Sequence, residues 1–246
     1  MTTQQYDEIG EAYEGFKALP LERYAAVPSL LALIGDVRGA SVLDLACGTG
    51  FYSRALRRRG AADVLGIDIS PEMVAVARRI EEEEPLGVRY EVGDATALRP
   101  LGRRYDIVLA VQLLGYAADL ATAERMGRTL RRNLAPGGSL YLLGQSPDHR
   151  FDGPTPEKYG FRCEPTGAQA ETGPQIRVTA LLDPPVSFVA HRPRRDVYET
   201  SLRAAGFRDL TWSPVTVSDA GLRAFGSDHW ADFRANPPLE MLHCRA

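Results

Sequence analysis

The segment Val42-Leu43-Asp44-Leu45-Ala46-Cys47-Gly48-Thr49-Gly50 runs from an apolar strand into a glycine-rich turn, and the residues from Phe51 onward continue as a helix. Lacking a Cβ, Gly48 and Gly50 let the backbone approach a ligand closely, while the free N–H groups of the helix point into the same crevice. This is a nucleotide-type binding turn. A dinucleotide fold needs G-x-G-x-x-G to cradle a pyrophosphate, whereas the order here is D-x-A-x-G-x-G. Asp44 would repel a pyrophosphate. It suits the ammonium of an amino-acid moiety.

From Ser41 to Gly144 short β-branched or leucine-rich runs alternate with longer amphipathic stretches, the pattern of repeated βα units on a parallel sheet. Five strands are predicted, over 41–46, 63–67, 88–92, 106–111 and 139–143. Ser70 can cap a helix with Pro71 at its first position, Gly60 follows the arginine-rich end of the preceding helix, and a further helix over 121–134 stops at Pro136-Gly137-Gly138. The run Glu81 to Glu84 ahead of Pro85 reads as a solvated helix end. Upstream, 6–16 and 21–35 read as two helices separated by Leu19-Pro20, a lid before the core. Downstream, 146–174 is rich in Pro and Gly, and 175–190 holds two β-like runs around Asp183-Pro184-Pro185, an antiparallel hairpin. A helix over 194–205, a strand over 207–213, helical material over 218–234 and a last strand over 239–244 complete the chain. The expected fold is α/β: a Rossmann-like, doubly wound seven-stranded sheet, mostly parallel with its last strand antiparallel, in one domain spanning 1–246. Its parts are the lid (1–37), the cofactor core (38–145), a substrate-side insertion (146–205) and the C-terminal part of the sheet (206–246).

Acids recur at the strand ends. Asp68 closes the second strand in Gly66-Ile67-Asp68-Ile69-Ser70, where a carboxylate can accept hydrogen bonds from both hydroxyls of a ribose, with Ile69 against an adenine. Gly93-Asp94-Ala95 adds a carboxylate suited to the exocyclic amine of adenine. Open α/β sheets bind ligands at this edge. An adenosine joined to a cationic amino-acid moiety describes S-adenosylmethionine. The strand-end Asp68 also suits a nicotinamide-dependent oxidoreductase, but the Asp44 turn argues against that.

The segments 42–50, 66–70, 93–95, 105–115 and 134–142 together resemble class I S-adenosylmethionine-dependent methyltransferases. The resemblance implies Asp44, Ala46 and Gly48 around the methionine moiety, Asp68 and Ile69 around ribose and adenine, Asp94 and Ala95 on the adenine edge, and the backbone of Val111 at the end of the fourth strand. Met73 is counted with these cofactor-binding residues. Ala46 stands where the family's turn has its first glycine. The opening 6–13, the phrase 45–53 and Asn236-Pro237-Pro238 are similar to small-molecule methyltransferases of the toxoflavin synthase type. Tyr13 and Arg23 resemble, more distantly, the N-terminal aromatic and arginine that close over the methionine carboxylate in glycine N-methyltransferase-like enzymes, so Arg23 is the expected carboxylate clamp. Tyr6, Ile9, Tyr13 and Phe16 also follow helical spacing, as an apolar stripe docking the lid would.

The 246 residues are 44% apolar and 25% charged with a formal net charge of −3, which supports one substantial core and gives no reason to expect a nucleic-acid partner. The arginine clusters read as helix ends that complement the dipole. Cys47, Cys163 and Cys244 form no CxxC pair, so neither a disulfide framework nor a zinc site is suggested. No apolar stretch is long enough to span a membrane, and the N-terminus lacks a basic region followed by an apolar run; a cytoplasmic monomer or homodimer is the expectation.

Asp183-Pro184-Pro185-Val186 and Asn236-Pro237-Pro238-Leu239 imitate the [DN]-P-P-[YF] box of amino methyltransferases, but neither follows the fourth strand and both lack its aromatic residue. That strand leads instead into Gln112, which also leaves the metal-binding acids of catechol-type enzymes without a counterpart, so no metal is expected. Methyl transfer to a neutral ring nitrogen needs little beyond alignment, whereas oxygen or carbon needs a base, for which His149 or Tyr13 is the candidate. The expected function is methylation of a small molecule, with N-methylation of a nitrogen heterocycle in specialised metabolism foremost. The alternatives are O- or C-methylation of another natural product and a non-catalytic cofactor-binding regulator.

Overall fold

The computed structural model describes residues 10–246; Tyr6 and Ile9 lie outside them. The lid begins with α1 (Gly10–Phe16), passes through a π-helical turn (Glu22–Ala26) and continues as α2 (Val27–Ile34). The core follows as β1 (Ser41–Leu45), α3 (Phe51–Arg58), β2 (Asp63–Asp68), α4 (Pro71–Glu83), β3 (Arg89–Val92), β4 (Tyr105–Val111), α5 (Leu120–Asn133) and β5 (Leu134–Gln145). Then come β6 (Phe161–Gln169), β7 (Pro174–Ala180), β8 (Val186–His191), α6 (Arg195–Ala204), β9 (Arg208–Pro214), α7 (Asp219–Phe225), α8 (Ala231–Ala235) and β10 (Leu239–Arg245).

Seven strands form the main sheet in the order β3-β2-β1-β4-β5-β10-β9. Only β10 is reversed, pairing antiparallel with both β5 and β9. Period-two alternation fixes its two faces: Val42 and Val64 pack into the layer under the lid and α3, Leu43 and Leu65 into the layer under α5 and α6. The helix signals act locally. Ser70 Oγ accepts the Met73 N–H at 3.2 Å with Pro71 at the first helical position of α4. Asp119 does the same for Thr122 at the start of α5.

Three expectations are corrected. Pro136-Gly137-Gly138 does not separate helix from strand: β5 already starts at Leu134, and these residues form the irregularity in its register against β4. Gly138 is needed there because a Cβ would stand 2.8 Å from the Asp106 carbonyl oxygen. The acidic end of α4 is not simply solvated: Glu81 Oε1 turns back and accepts the N–H groups of Leu86, Gly87 and Val88 at 2.6, 2.6 and 3.1 Å, shaping the entry into β3. The third concerns the insertion: the expected antiparallel hairpin is present as β7–β8, and a further strand, β6, extends it into a second three-stranded sheet, β6-β7-β8. Its extra strand, β6, is an exposed edge in which Pro165 is tolerated and most side chains face outward, so no apolar alternation marks it.

The lid docks between the cofactor turn and this second sheet. Phe16 is buried, stacks on Phe188 of β8 with centroids 6.2 Å apart, and meets Phe161 of β6 edge-on at 6.0 Å. Thr49 of the turn donates to Glu14 of α1, and Arg54 of α3 pairs with the same carboxylate at 3.2 Å. Among the described residues no helix is long and apolar enough to cross a membrane.

Candidate active site

The sheet order reverses between β1 and β4, and the turn after β1 opens at that point. Ala46 and Cys47 both donate their N–H to the Ile67 carbonyl, at 2.8 and 3.1 Å, which ties the turn to the end of β2. Ala46, Gly48 and Gly50 have φ of +68°, +53° and +81°. A left-handed turn of this kind favours glycine, so Ala46 holds its place against strain. Gly50 has no room for a side chain, since a Cβ would lie 2.6 Å from the Tyr90 ring. Asp68 knits the turn from the other side: its Oδ2 accepts the Gly48 N–H at 2.8 Å and its Oδ1 the Ser70 N–H at 3.0 Å.

A cavity of about 330 Å³ opens over this turn. Ala46, Gly48, Asp68 and Ile69 line it from the ends of β1 and β2, Met73 from the first turn of α4, Asp94 and Ala95 from the end of β3, and Val111 from the end of β4. Tyr13 of α1 closes one side, its ring 3.2 Å from where a Gly48 Cβ would sit. The wall opposite the cofactor turn comes from the second sheet: Gln175 of β7 with Val189 and His191 of β8. Gln112, at φ +60°, and Tyr116 complete it from the segment after β4. Among the described residues a smaller cavity of about 50 Å³ adjoins it, sharing Tyr13, Val111 and Gln112, and reaches Lys17 and Glu22.

Asp44 sits below the cavity and does not line it. It is 1% exposed and accepts Ser53 Oγ at 2.6 Å. Burial lifts its pKa to about 6; the Ser53 hydrogen bond lowers it, neighbouring Asp68 raises it and Lys17 lowers it. A carboxylate desolvated to this degree favours the arrival of a cation. Tyr13 is held well above the ordinary tyrosine range, first by burial and then by the carboxylates of Glu22, Asp68, Asp44 and Glu14. In that company the phenol is held towards its protonated form, which weighs against Tyr13 as a base.

Two predicted residues are not brought to the cavity. Arg23 is exposed on the π-helical turn with its guanidinium 5.4 Å from the Tyr24 ring. The cation that does approach is Lys17, nearly buried, paired with Glu22 at 2.7 Å and 4.7 Å above the Tyr52 ring. His149 is buried in the connection after β5, its Nδ1 3.2 Å from the Asn236 carbonyl and its ring edge-on to Phe151. These are structural contacts. The histidine at the cavity is His191, which the sequence reading missed. Its signal was the period-two pairing with Val189 at the end of an apolar run, which places both on one face of β8.

The fold and the turn agree with what similarity to known proteins finds. A methyltransferase domain family matches residues 42–138. A ubiquinone biosynthesis O-methyltransferase of Azorhizobium caulinodans is 37% identical over 182 residues, covering 60% of this chain and 72% of that protein. One of the same name from Coxiella burnetii is 33% identical over 106 residues, 43% of this chain and 44% of its own length, so the chain spans less than half of this curated relative. The structure of the CcbJ methyltransferase from Streptomyces caelestis has the same fold, with a TM-score of 0.69 at 18% identity over 100% of this chain and 99% of that one. The chain belongs to the S-adenosylmethionine-dependent methyltransferases.

Proposed function

We propose that this chain transfers the methyl group of S-adenosylmethionine to a small-molecule acceptor seated between the cofactor turn and the second sheet. The observation that carries this reading is the acidic cavity at the carboxyl ends of β1 to β4, with the desolvated Asp44 beneath it. The residues fit the cofactor: Asp44, Ala46 and Gly48 suit its methionine part, Asp68, Ile69 and Met73 its ribose and adenine, Asp94 and Ala95 the adenine edge. Tyr13 closes over them. When bound, the cofactor supplies a methyl group already activated by its sulfonium, so the protein's share is alignment and exclusion of water.

A nitrogen heterocycle is the first acceptor class, in keeping with the resemblance to enzymes of the toxoflavin synthase type. An oxygen acceptor is the second reading, favoured by His191 in the cavity wall and by the O-methyltransferase names of the two curated relatives.

The test is calorimetric titration with S-adenosylhomocysteine and, separately, NAD. Asp94→Ala is the informative variant, because Asp94 accepts only the Thr96 N–H among the described contacts, whereas removing Asp68 would release two N–H groups of the turn itself. Micromolar binding of S-adenosylhomocysteine, weakened roughly tenfold in Asp94→Ala and absent for NAD, is expected. Folded wild-type protein that binds no S-adenosylhomocysteine would overturn the reading. A regulator that only senses the cofactor would bind it and yield no methylated product from panels of heterocycles and phenols followed by mass gain.

A further inference from the structure

The cavity wall carries five titratable side chains, and four of them are committed. Asp68 accepts two backbone N–H groups, Asp94 accepts the Thr96 N–H, and desolvation holds the phenols of Tyr13 and Tyr116 above the ordinary tyrosine range. The fifth is His191. It is half-buried; its Nδ1 lies out of solvent with no hydrogen-bond partner, and the Gly115 backbone is a polar neighbour of the ring. It stands on the second sheet, opposite Gln175 in the β7–β8 ladder, and both side chains line the cavity. Its backbone carbonyl abuts Gly115 in the segment that follows β4, so the ring is fixed beside the strand end where Val111 and Gln112 reach the same space.

The next residue, Arg192, turns away to stack on Phe151 at 4.0 Å and to donate to the His149 carbonyl. Burial holds the imidazole below the ordinary histidine range, with a backbone hydrogen bond to Gly115 offsetting part of that. The ring is therefore neutral at pH 7 and able to take a proton.

We propose that His191 is the general base of this site and that the acceptor it serves presents an acidic hydroxyl, a phenol or an enol, to the cofactor's methyl group. This rests on the reading that the cavity holds S-adenosylmethionine, and of the two acceptor classes it takes oxygen in place of the nitrogen heterocycle. The acceptor oxygen gives its proton to the His191 imidazole and forms the new O–C bond as the C–S bond breaks. The pair of electrons from that bond stays on sulfur, and the proton leaves His191 to solvent after product departs. Gln175 and Gln112, uncharged and on either side, are the groups that can hold such a hydroxyl in line.

The test needs no acceptor. S-adenosylhomocysteine and S-adenosylmethionine differ by one methyl group and one positive charge. A base that works on the attacking oxygen lies within about 7 Å of the sulfur, where one added charge lowers an imidazole pKa by about one unit. Imidazole resonances of ¹⁵N-labelled protein are followed against pH with each molecule at saturation, His191 being identified by its loss in His191→Gln. The expected result is a His191 pKa at least about half a unit lower with S-adenosylmethionine than with S-adenosylhomocysteine, while His149, His229 and His243 do not move. An equal pKa in the two complexes overturns the proposal. So does His191→Gln if it abolishes S-adenosylhomocysteine binding, since the ring would then belong to the cofactor subsite. Spectra that respond to neither molecule overturn the cofactor reading itself.

Discussion

Replacing Asp44 with asparagine separates two properties that the wild-type carboxylate sets against each other. Its pKa stands at about 6, first because of burial, against an ordinary 3.8. An acid with a higher pKa folded than unfolded binds more protons in the folded state between those two values. Stability therefore falls as pH rises through the window from about 4 to about 6, and it is lowest above it. A shift of about two units corresponds to about 3 kcal/mol, and at 1% exposure solvent screening takes little from it. Asp44→Asn keeps an oxygen for Ser53 Oγ and removes the charge. The apo variant is expected to be more stable than wild type at pH 8, by up to about 3 kcal/mol in urea denaturation, and to lose the pH dependence. Its affinity for S-adenosylhomocysteine should drop roughly 30- to 150-fold, because the ligand's ammonium loses its charged partner. Wild type should bind about tenfold more weakly at pH 5 than at pH 7, as Asp44 takes up a proton. A variant that is no more stable at pH 8 and binds within threefold of wild type would refute the assignment of Asp44 to the ammonium.

Gly50→Ala forces a Cβ into a φ of +81° and against the Tyr90 ring, which should cost about 2–5 kcal/mol in urea denaturation; a loss under about 1 kcal/mol would mean the turn is looser than described. Arg23→Ala should leave the dissociation constant for S-adenosylhomocysteine within about twofold, as befits an exposed guanidinium stacked on Tyr24, and a loss beyond about tenfold would return Arg23 to the cofactor carboxylate.

The parallel half of the sheet was readable because β1, β2 and β4 are buried on both faces and bounded by caps and glycines, so the pattern and the chemistry agree. The cavity's cofactor side was readable for a related reason: Ala46, Gly48, Asp68, Ile69, Asp94 and Ala95 lie in the turns that directly follow strands, where sequence order is spatial order. Arg23 was expected at the cofactor carboxylate from a distant resemblance alone, and the π-helical turn Glu22–Ala26 leaves it exposed. His149 was favoured for its closeness in sequence to β5, yet the connection buries it against Asn236. His191 could not be singled out since it reaches the cavity only through the pairing of β8 with β7, a contact made by a sheet whose outer strand carries no apolar period.

The second sheet closes its hydrogen-bond ladders among its own three strands and shares none with the main sheet. Apolar contact, as between Phe16, Phe161 and Phe188, joins it to the core, with hydrogen bonds at its rim such as Thr172 Oγ1 to the Ala117 carbonyl; the apolar part is non-directional and tolerant of small shifts. A substitution at Gln175, Val189 or His191 thus alters one wall of the cavity without disturbing the register on which the cofactor turn depends. The molecule is in this sense two parts: a half whose geometry the register of the main sheet fixes, and a panel whose residues can change without disturbing that register.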